Sequence, residues 1–357
     1  MDRDTFKGRR VNAVIGTKGD SRALAPRTSN LEGFATPADR ESAAICILGM
    51  HRSGTSAVTR AVNLLGVHLG TPVKMMPANP ENPGGYWEHL EVNDFQKRLM
   101  KQLERSWDTA NPLPERWLQS AAVRPFKDEL ATIVAANFSG YSRWAWKEPQ
   151  TCLLLPLWLE TLAQANVGLS CLFVVRNPVD VASSLMRRNG IPFEKALGIW
   201  LHYNIVALRE AAGLPIVFLS YERLLAAWEP ELRRCAAGLG LEWPERDEPL
   251  RQSIESFIDP SLGHYRSPPS RLRELPPPVL ELYQALSEAC LRVSGGQDGL
   301  EQTVERLSKE FHAYASLFQM MAVPPTPGRL TRMWRRWQVS VRKRLPTPAR
   351  APVARAR

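Results

Sequence analysis

The chain has 357 residues, 44% of them hydrophobic, which suffices for a sizeable core in one large domain or two small ones. Its formal charge of +10 points to an anionic partner, yet ten of the 46 Lys and Arg lie between Arg329 and Arg357, where no Asp or Glu occurs. Removing those ten leaves 36 basic residues against 36 acidic ones, so the body is formally neutral and no basic groove for nucleic acid is indicated.

In chain order, residues 1–40 are polar, mix Gly, Ser, Thr, Pro and charge, and have the composition of a disordered segment. The start, "MDRDTFKGRRVNAVIG", lacks the long apolar stretch of a secretory signal. No window approaches the roughly 18 apolar residues that a membrane-spanning helix needs. From Ala43 short apolar runs alternate with helical patterns. Ile45–Leu48, Trp144–Trp146, Leu172–Val175 and Ile216–Leu219 read as buried strands, each followed by a turn or polar element. Thr55–Leu65, Cys152–Ala163, Pro178–Arg188 and Phe193–Ala212 read as helices. That alternation predicts an α/β fold, a parallel sheet flanked by crossover helices, over residues 41–322. Beyond Tyr221 the chain reads as mostly helical, including Val279–Val293 and Leu300–Phe318.

"VPPTPG" at Val323–Gly328 ends the pattern and opens a basic tail, residues 323–357. There Leu330, Met333, Trp334, Trp337, Val341 and Leu345 share one helical face, with Arg332, Arg335, Arg336, Arg342 and Arg344 around the rest. A cationic helix with Trp on its apolar face suits an anionic membrane surface; packing on the body or a solvated tail are the alternatives. The five cysteines are scattered without a Cys-x-x-Cys pair, and the six histidines show no metal-ligand spacing. The cysteine usage predicts a reduced, cytoplasmic protein, which the tail could hold at the inner face of the cell membrane.

The chemistry is concentrated in two stretches. "ICILGMHRSGTSAVTRAVNLLG", Ile45–Gly66, is a strand, a Gly-x4-Gly turn and a helix start. Such a junction offers backbone N–H groups and the positive end of a helix to phosphate or sulfate. Thr55 stands where a nucleotide-triphosphate loop carries Lys, and Arg52 lies three residues upstream. Ser53, Thr55 and Ser56 supply hydroxyls, though helix capping is the plain alternative for them. His51 has no assigned role. The second stretch, "LFVVRNPVDVASSLMRR", ends its strand in Arg176 where a Mg-dependent phosphate-transfer loop commonly has a metal-holding Asp. Arg there attracts a further phosphate instead of a metal ion.

"GMHRSGTSAV" and "VVRNPVDVASSL" resemble the two nucleotide-binding segments of sulfotransferases that use 3′-phosphoadenosine 5′-phosphosulfate (PAPS). The Arg-Ser-Gly-Thr loop is similar to the bacterial and tyrosylprotein branches. The resemblance, over about residues 43–265, implies a P-loop-NTPase-like sulfotransferase architecture with PAPS as co-substrate and no metal. It places the 5′-phosphosulfate on Arg52, Ser53, Gly54, Thr55 and Ser56, and the 3′-phosphate on Arg176 and Ser184. "VFLSYERLL" is similar to a later strand whose Tyr, here Tyr221, lies near the nucleotide. "WAWKEPQ" resembles a Lys-Asp-Pro segment with Glu148 in place of Asp, making Lys147 a candidate for steadying charge at the sulfuryl group. "SFIDPSLGHYR" occupies the place of a late basic element, with Arg266 as its candidate.

Sulfuryl transfer needs a base for the acceptor hydroxyl, and His or a carboxylate suits. "NPENPGGYWEHLEV" holds Glu81, Glu88 and Glu91 with His89 between them; Glu88 ranks first and Glu81 second. Tyr86 and Trp87 are placed to shield Glu88 or stack on a sugar, which favours a carbohydrate or glycolipid acceptor. Two other readings stay open: a P-loop small-molecule kinase, and a non-catalytic membrane-associated adaptor on the same fold.

Overall fold

The structure, a computed structural model, describes residues 40–79, 82, 84–245, 247–258, 267–292 and 298–321. Residues 1–39, Glu81, Arg266 and the tail 323–357 lie outside the described residues.

Four strands form one parallel sheet in the order β2-β1-β3-β4: β1 Ala43–Leu48, β2 Arg143–Trp146, β3 Gly168–Val175 and β4 Ile216–Ser220. β3 starts four residues before the predicted Leu172, because Gly168 and Ser170 interrupt its apolar run yet pair with Ala43 and Ile45. Side chains of β1 alternate between two cores. Ala44, Cys46 and Leu48 enter one, and Ile45 and Ile47 enter the other. A strand buried on both faces therefore reads as a continuous apolar run.

The helices fill both faces. In chain order they are α1 Thr55–Leu64, α2 Leu90–Gln102, α3 Arg124–Phe138, α4 Thr151–Gln164, α5 Pro178–Asn189 and α6 Phe193–Glu210. Then follow α7 Tyr221–Ala226, α8 Trp228–Gly238, α9 Glu248–Glu255, α10 Pro277–Ala289 and α11 Asp298–Met321. The predicted helices stand with shifts of a few residues; α10 ends at Ala289 rather than Val293, which lies outside the described residues. α4 and α6 are buried over most of their length; α4 packs on β3, and α6 packs among α4, α5, α10 and α11. The aromatic series Phe138, Trp144, Trp146 and Trp158 has successive centroids 4.3, 5.6 and 4.2 Å apart, locking β2 between α3 and α4. Truncating a fully buried Trp such as Trp158 to Ala costs about 3–5 kcal/mol.

The strand order carries the functional consequence. After β1 the chain goes to β2 on one side of the sheet, then returns to β3 on the other. Ligand crevices in open parallel sheets form at such reversals, beyond the carboxyl ends of the strands. Here those ends present Gly49, Lys147, Arg176 and Tyr221, one from each strand.

Candidate active site

The turn from β1 into α1 closes with Ser53 N–H donating to Met50 O at 3.1 Å. Gly54, the residue before α1, has φ 87°, and no side chain caps the helix. Ser53, Thr55 and Ser56 thus leave the first-turn N–H groups to a ligand, against the plain capping alternative. A Cβ on Gly54 would sit 2.1 Å from Tyr221 Cδ2, so glycine permits the close approach of turn and ring.

The two sequence stretches meet here. Arg52 Nε donates to Ser184 Oγ at 2.9 Å, although 132 residues separate them. Arg176 Nη1 donates to Arg52 O at 2.7 Å, and its guanidinium lies 4.6 Å from the Tyr221 ring centroid. The position of Arg176 against Tyr221 is fixed from behind: Glu222 accepts from Asn177 N–H at 2.8 Å and from Ser220 Oγ at 3.2 Å. Arg176 Nε is buried with no hydrogen-bond partner. Burial first, then Arg188 and Arg176, hold the Arg52 guanidinium below its ordinary basicity. Excess positive charge and an unsatisfied guanidinium N–H beside an uncapped helix start give this corner the electrostatics that suit a polyanion.

The second half of the site is a buried ion pair. Lys147, just past β2, donates to Glu88 Oε1 at 2.6 Å, with the two side chains 1% and 9% exposed. Asn93 on α2 donates to Glu88 Oε2 at 2.9 Å, and Lys147 Nζ reaches Ser56 Oγ at 3.4 Å. Ser56 thus links the pair to the anion-binding turn. Glu91 instead faces outward, bound by Lys74 at 3.0 Å and Asn137 at 2.7 Å. The loop that precedes Glu88 is held by three contacts. Arg188 donates to the Tyr86 hydroxyl at 3.0 Å, Arg60 stacks over Trp87 at 4.4 Å, and Asn82 reaches Ser56 Oγ at 3.5 Å.

Sequence reasoning missed three participants. Glu148 is buried, accepts from the Gln150 N–H at 2.8 Å, and has its carboxyl pushed up to about 8, by burial first and by Glu88 second. Cys152 Sγ accepts the Gly49 N–H at 3.3 Å, holding the turn from below. His51 packs on Trp107 and Tyr203 with centroids 4.7 and 5.8 Å away. The signal for Glu148 was its neighbour Lys147; nothing in the local pattern brings Trp107 or Tyr203 to His51.

The sulfotransferase family profile matches residues 44–245, which takes in all four strands, save Ala43 at the start of β1, and the turn after each. The chain belongs to the sulfotransferase family. It is a sulfotransferase enzyme, and the family implies PAPS as its sulfuryl donor. Among solved structures, the sulfotransferase domain of the Synechococcus PCC 7002 olefin synthase is 18% identical, covering 77% of this chain and 98% of its own, with a TM-score of 0.36. A sulfotransferase from Mycobacterium avium is 12% identical over 65% and 71% of the two chains, with a TM-score of 0.37. A retinol dehydratase in complex with androsterone and the inactive cofactor PAP is 14% identical over 78% and 81%, with a TM-score of 0.34. No curated protein matches the chain.

Proposed function

We propose that the enzyme transfers the sulfuryl group of PAPS to a hydroxyl of a carbohydrate or glycolipid. The observation that carries the donor half is the convergence of Arg52, Arg176 and Ser184 on the uncapped start of α1. In this reading the turn residues Arg52, Ser53, Gly54, Thr55 and Ser56 receive the 5′-phosphosulfate, and Arg176 with Ser184 receive the 3′-phosphate. Tyr221 backs Arg176 and lines the nucleotide's place. Arg266 keeps its assignment as a late basic contact, and the residue after it, Ser267, donates its N–H to Asp180 Oδ1 at 3.0 Å.

Glu88 takes the acceptor proton, with Glu81 second in rank. As the new O–S bond forms, the S–O bond to the 5′-phosphate breaks and the proton passes to the Glu88 carboxylate. A protonated Glu88 releases its hold on Lys147, freeing that ammonium for the charge on the departing phosphate. Tyr86 and Trp87, which immediately precede Glu88 in the chain, support a sugar as acceptor. The tail 323–357 would hold the enzyme at an anionic membrane surface; no helix among the described residues is long and apolar enough to cross a membrane.

A thermal-shift comparison tests the donor. Stabilisation by 3′-phosphoadenosine 5′-phosphate (PAP), and none by Mg-ADP, is expected; the reverse pattern would favour a kinase and sink the proposal. Truncation after Val323 is expected to abolish binding to vesicles containing anionic lipid, and unchanged binding would refute the tail's role.

A further inference from the structure

His51 lies inside the anion-binding turn, next to Arg52, yet its ring points its chemistry elsewhere. Nε2 is fully enclosed and has no hydrogen-bond partner. An enclosed polar atom without a partner carries a desolvation penalty that a folded chain usually avoids, so the bond missing at Nε2 calls for a group that can supply it. The ring is tilted 52° to Trp107 and stands edge-on, at 69°, to Tyr203. The Tyr203 ring and the backbone that carries Trp107 are tied together. The Tyr203 hydroxyl donates to the Trp107 carbonyl at 2.8 Å, and the adjacent Asp108 pairs with Lys195 of α6 at 2.9 Å. Trp107 itself is half-buried and sits on an irregular segment between α2 and α3, so its indole can turn aside without breaking a helix.

We propose that His51 and Trp107 form the acceptor subsite, in which a ring hydroxyl hydrogen-bonds His51 Nε2 while the C–H face of a sugar ring lies on the indole. This inference rests on the sulfotransferase reading and narrows its acceptor to a neutral, polyhydroxylated ring. A hydroxyl satisfies Nε2 in either imidazole tautomer, because it both donates and accepts. An amine acceptor does not fit: Lys147, Arg188, Arg52 and Lys97 all bear on the His51 ring and would repel an ammonium. These cations, after burial as the largest cause, pull the imidazole down to about 3, so a neutral ring faces the acceptor at physiological pH. With one acceptor hydroxyl bound by His51 and another giving its proton to Glu88, the subsite would select an acceptor with at least two hydroxyls.

The test uses full-length protein labelled at histidine nitrogen and saturated with PAP. Methyl β-galactopyranoside, methyl β-glucopyranoside and octyl β-glucopyranoside are titrated in turn, with imidazole resonances read by NMR and the His51 signal assigned by its loss in His51→Gln. At least one glycoside is expected to move the wild-type His51 signal. His51→Ala and Trp107→Ala should each weaken that glycoside about tenfold, with His51→Gln recovering most of the loss and PAP affinity staying within about twofold in all three. Unmoved His51 resonances with all three glycosides, or undiminished glycoside binding in His51→Ala, overturn the subsite. PAP binding persists in either case, so failure of the subsite is distinguishable from failure of the donor assignment.

Discussion

The hydrogen bond from Arg52 Nε to Ser184 Oγ, 2.9 Å long, ties the turn after β1 to the second turn of α5. A donor carrying phosphates at both ends would find its two anchoring sets already in register. Ser184→Ala and Arg52→Lys, which keeps charge but loses the planar fork, should each weaken PAP about tenfold by calorimetry. Because the two side chains share one hydrogen bond, the double variant should lose less than the sum of the single losses. Strict additivity would show that the contact plays no part in donor binding.

Gly54 and Tyr221 are packed too closely for any side chain at residue 54. Gly54→Ala combines a φ of 87° with a Cβ placed 2.1 Å from the ring. We expect a loss of about 2–4 kcal/mol in denaturant unfolding, combining left-handed backbone strain with overpacking. Tyr221→Ala in the same chain should restore part of it by removing the clash. An unaltered unfolding midpoint for Gly54→Ala would show that turn and ring are not in contact.

Lys147 and Glu88 should respond asymmetrically to substitution. Lys147→Ala leaves the Glu88 carboxylate in a buried place with Asn93 as its remaining side-chain partner, at a cost of about 3–5 kcal/mol. Lys147→Met combined with Glu88→Leu removes both charges and should regain most of that stability while abolishing sulfuryl transfer. If the double variant retains turnover, the pair has no part in the chemistry.

Glu148 gives a pH signature of known sign. The folded chain keeps its carboxyl protonated up to about pH 8, whereas the unfolded chain releases that proton near the ordinary value of 4.5. The stabilising contribution is therefore complete below the unfolded value and is lost as pH rises through this window, at no more than about 1.4 kcal/mol per unit. Glu148→Gln cannot ionise and escapes the loss. Its unfolding midpoint should match the wild type at about pH 5 and exceed it increasingly toward about pH 8. Parallel curves would mean that Glu148 is already ionised in the folded chain.

The parts of this structure that depend on local pattern were open to reading in the sequence. The Ile45–Leu48 run and the Gly-x4-Gly turn placed β1 and the anion-binding turn to within two residues of the observed start. Arg176 and Ser184 fall respectively just past β3 and inside α5, as the predicted strand Leu172–Val175 and helix Pro178–Arg188 implied. The missing parts depend on what the chain brings together across long separations. Glu88 and Lys147 are 59 residues apart, and no periodicity links a loop carboxylate to the end of a strand. The helices α2 and α3 escaped notice because their apolar residues are diluted by charge, as in "EVNDFQKRLMKQ". His51 looked like an ordinary polar loop residue because its aromatic neighbours arrive from residues 107 and 203.

The strand ends also impose an order on assembly. Gly49, Lys147, Arg176 and Tyr221 each follow a different strand, and β4 is last both along the chain and across the sheet. A nascent chain that stops before Ile216 can hold the turn after β1 but has no Tyr221 to back Arg176. If the nucleotide binds the finished sheet alone, its capture would report on completed synthesis and draw late folding intermediates forward by mass action. The donor would serve as the molecule's own quality check before any sulfate moves.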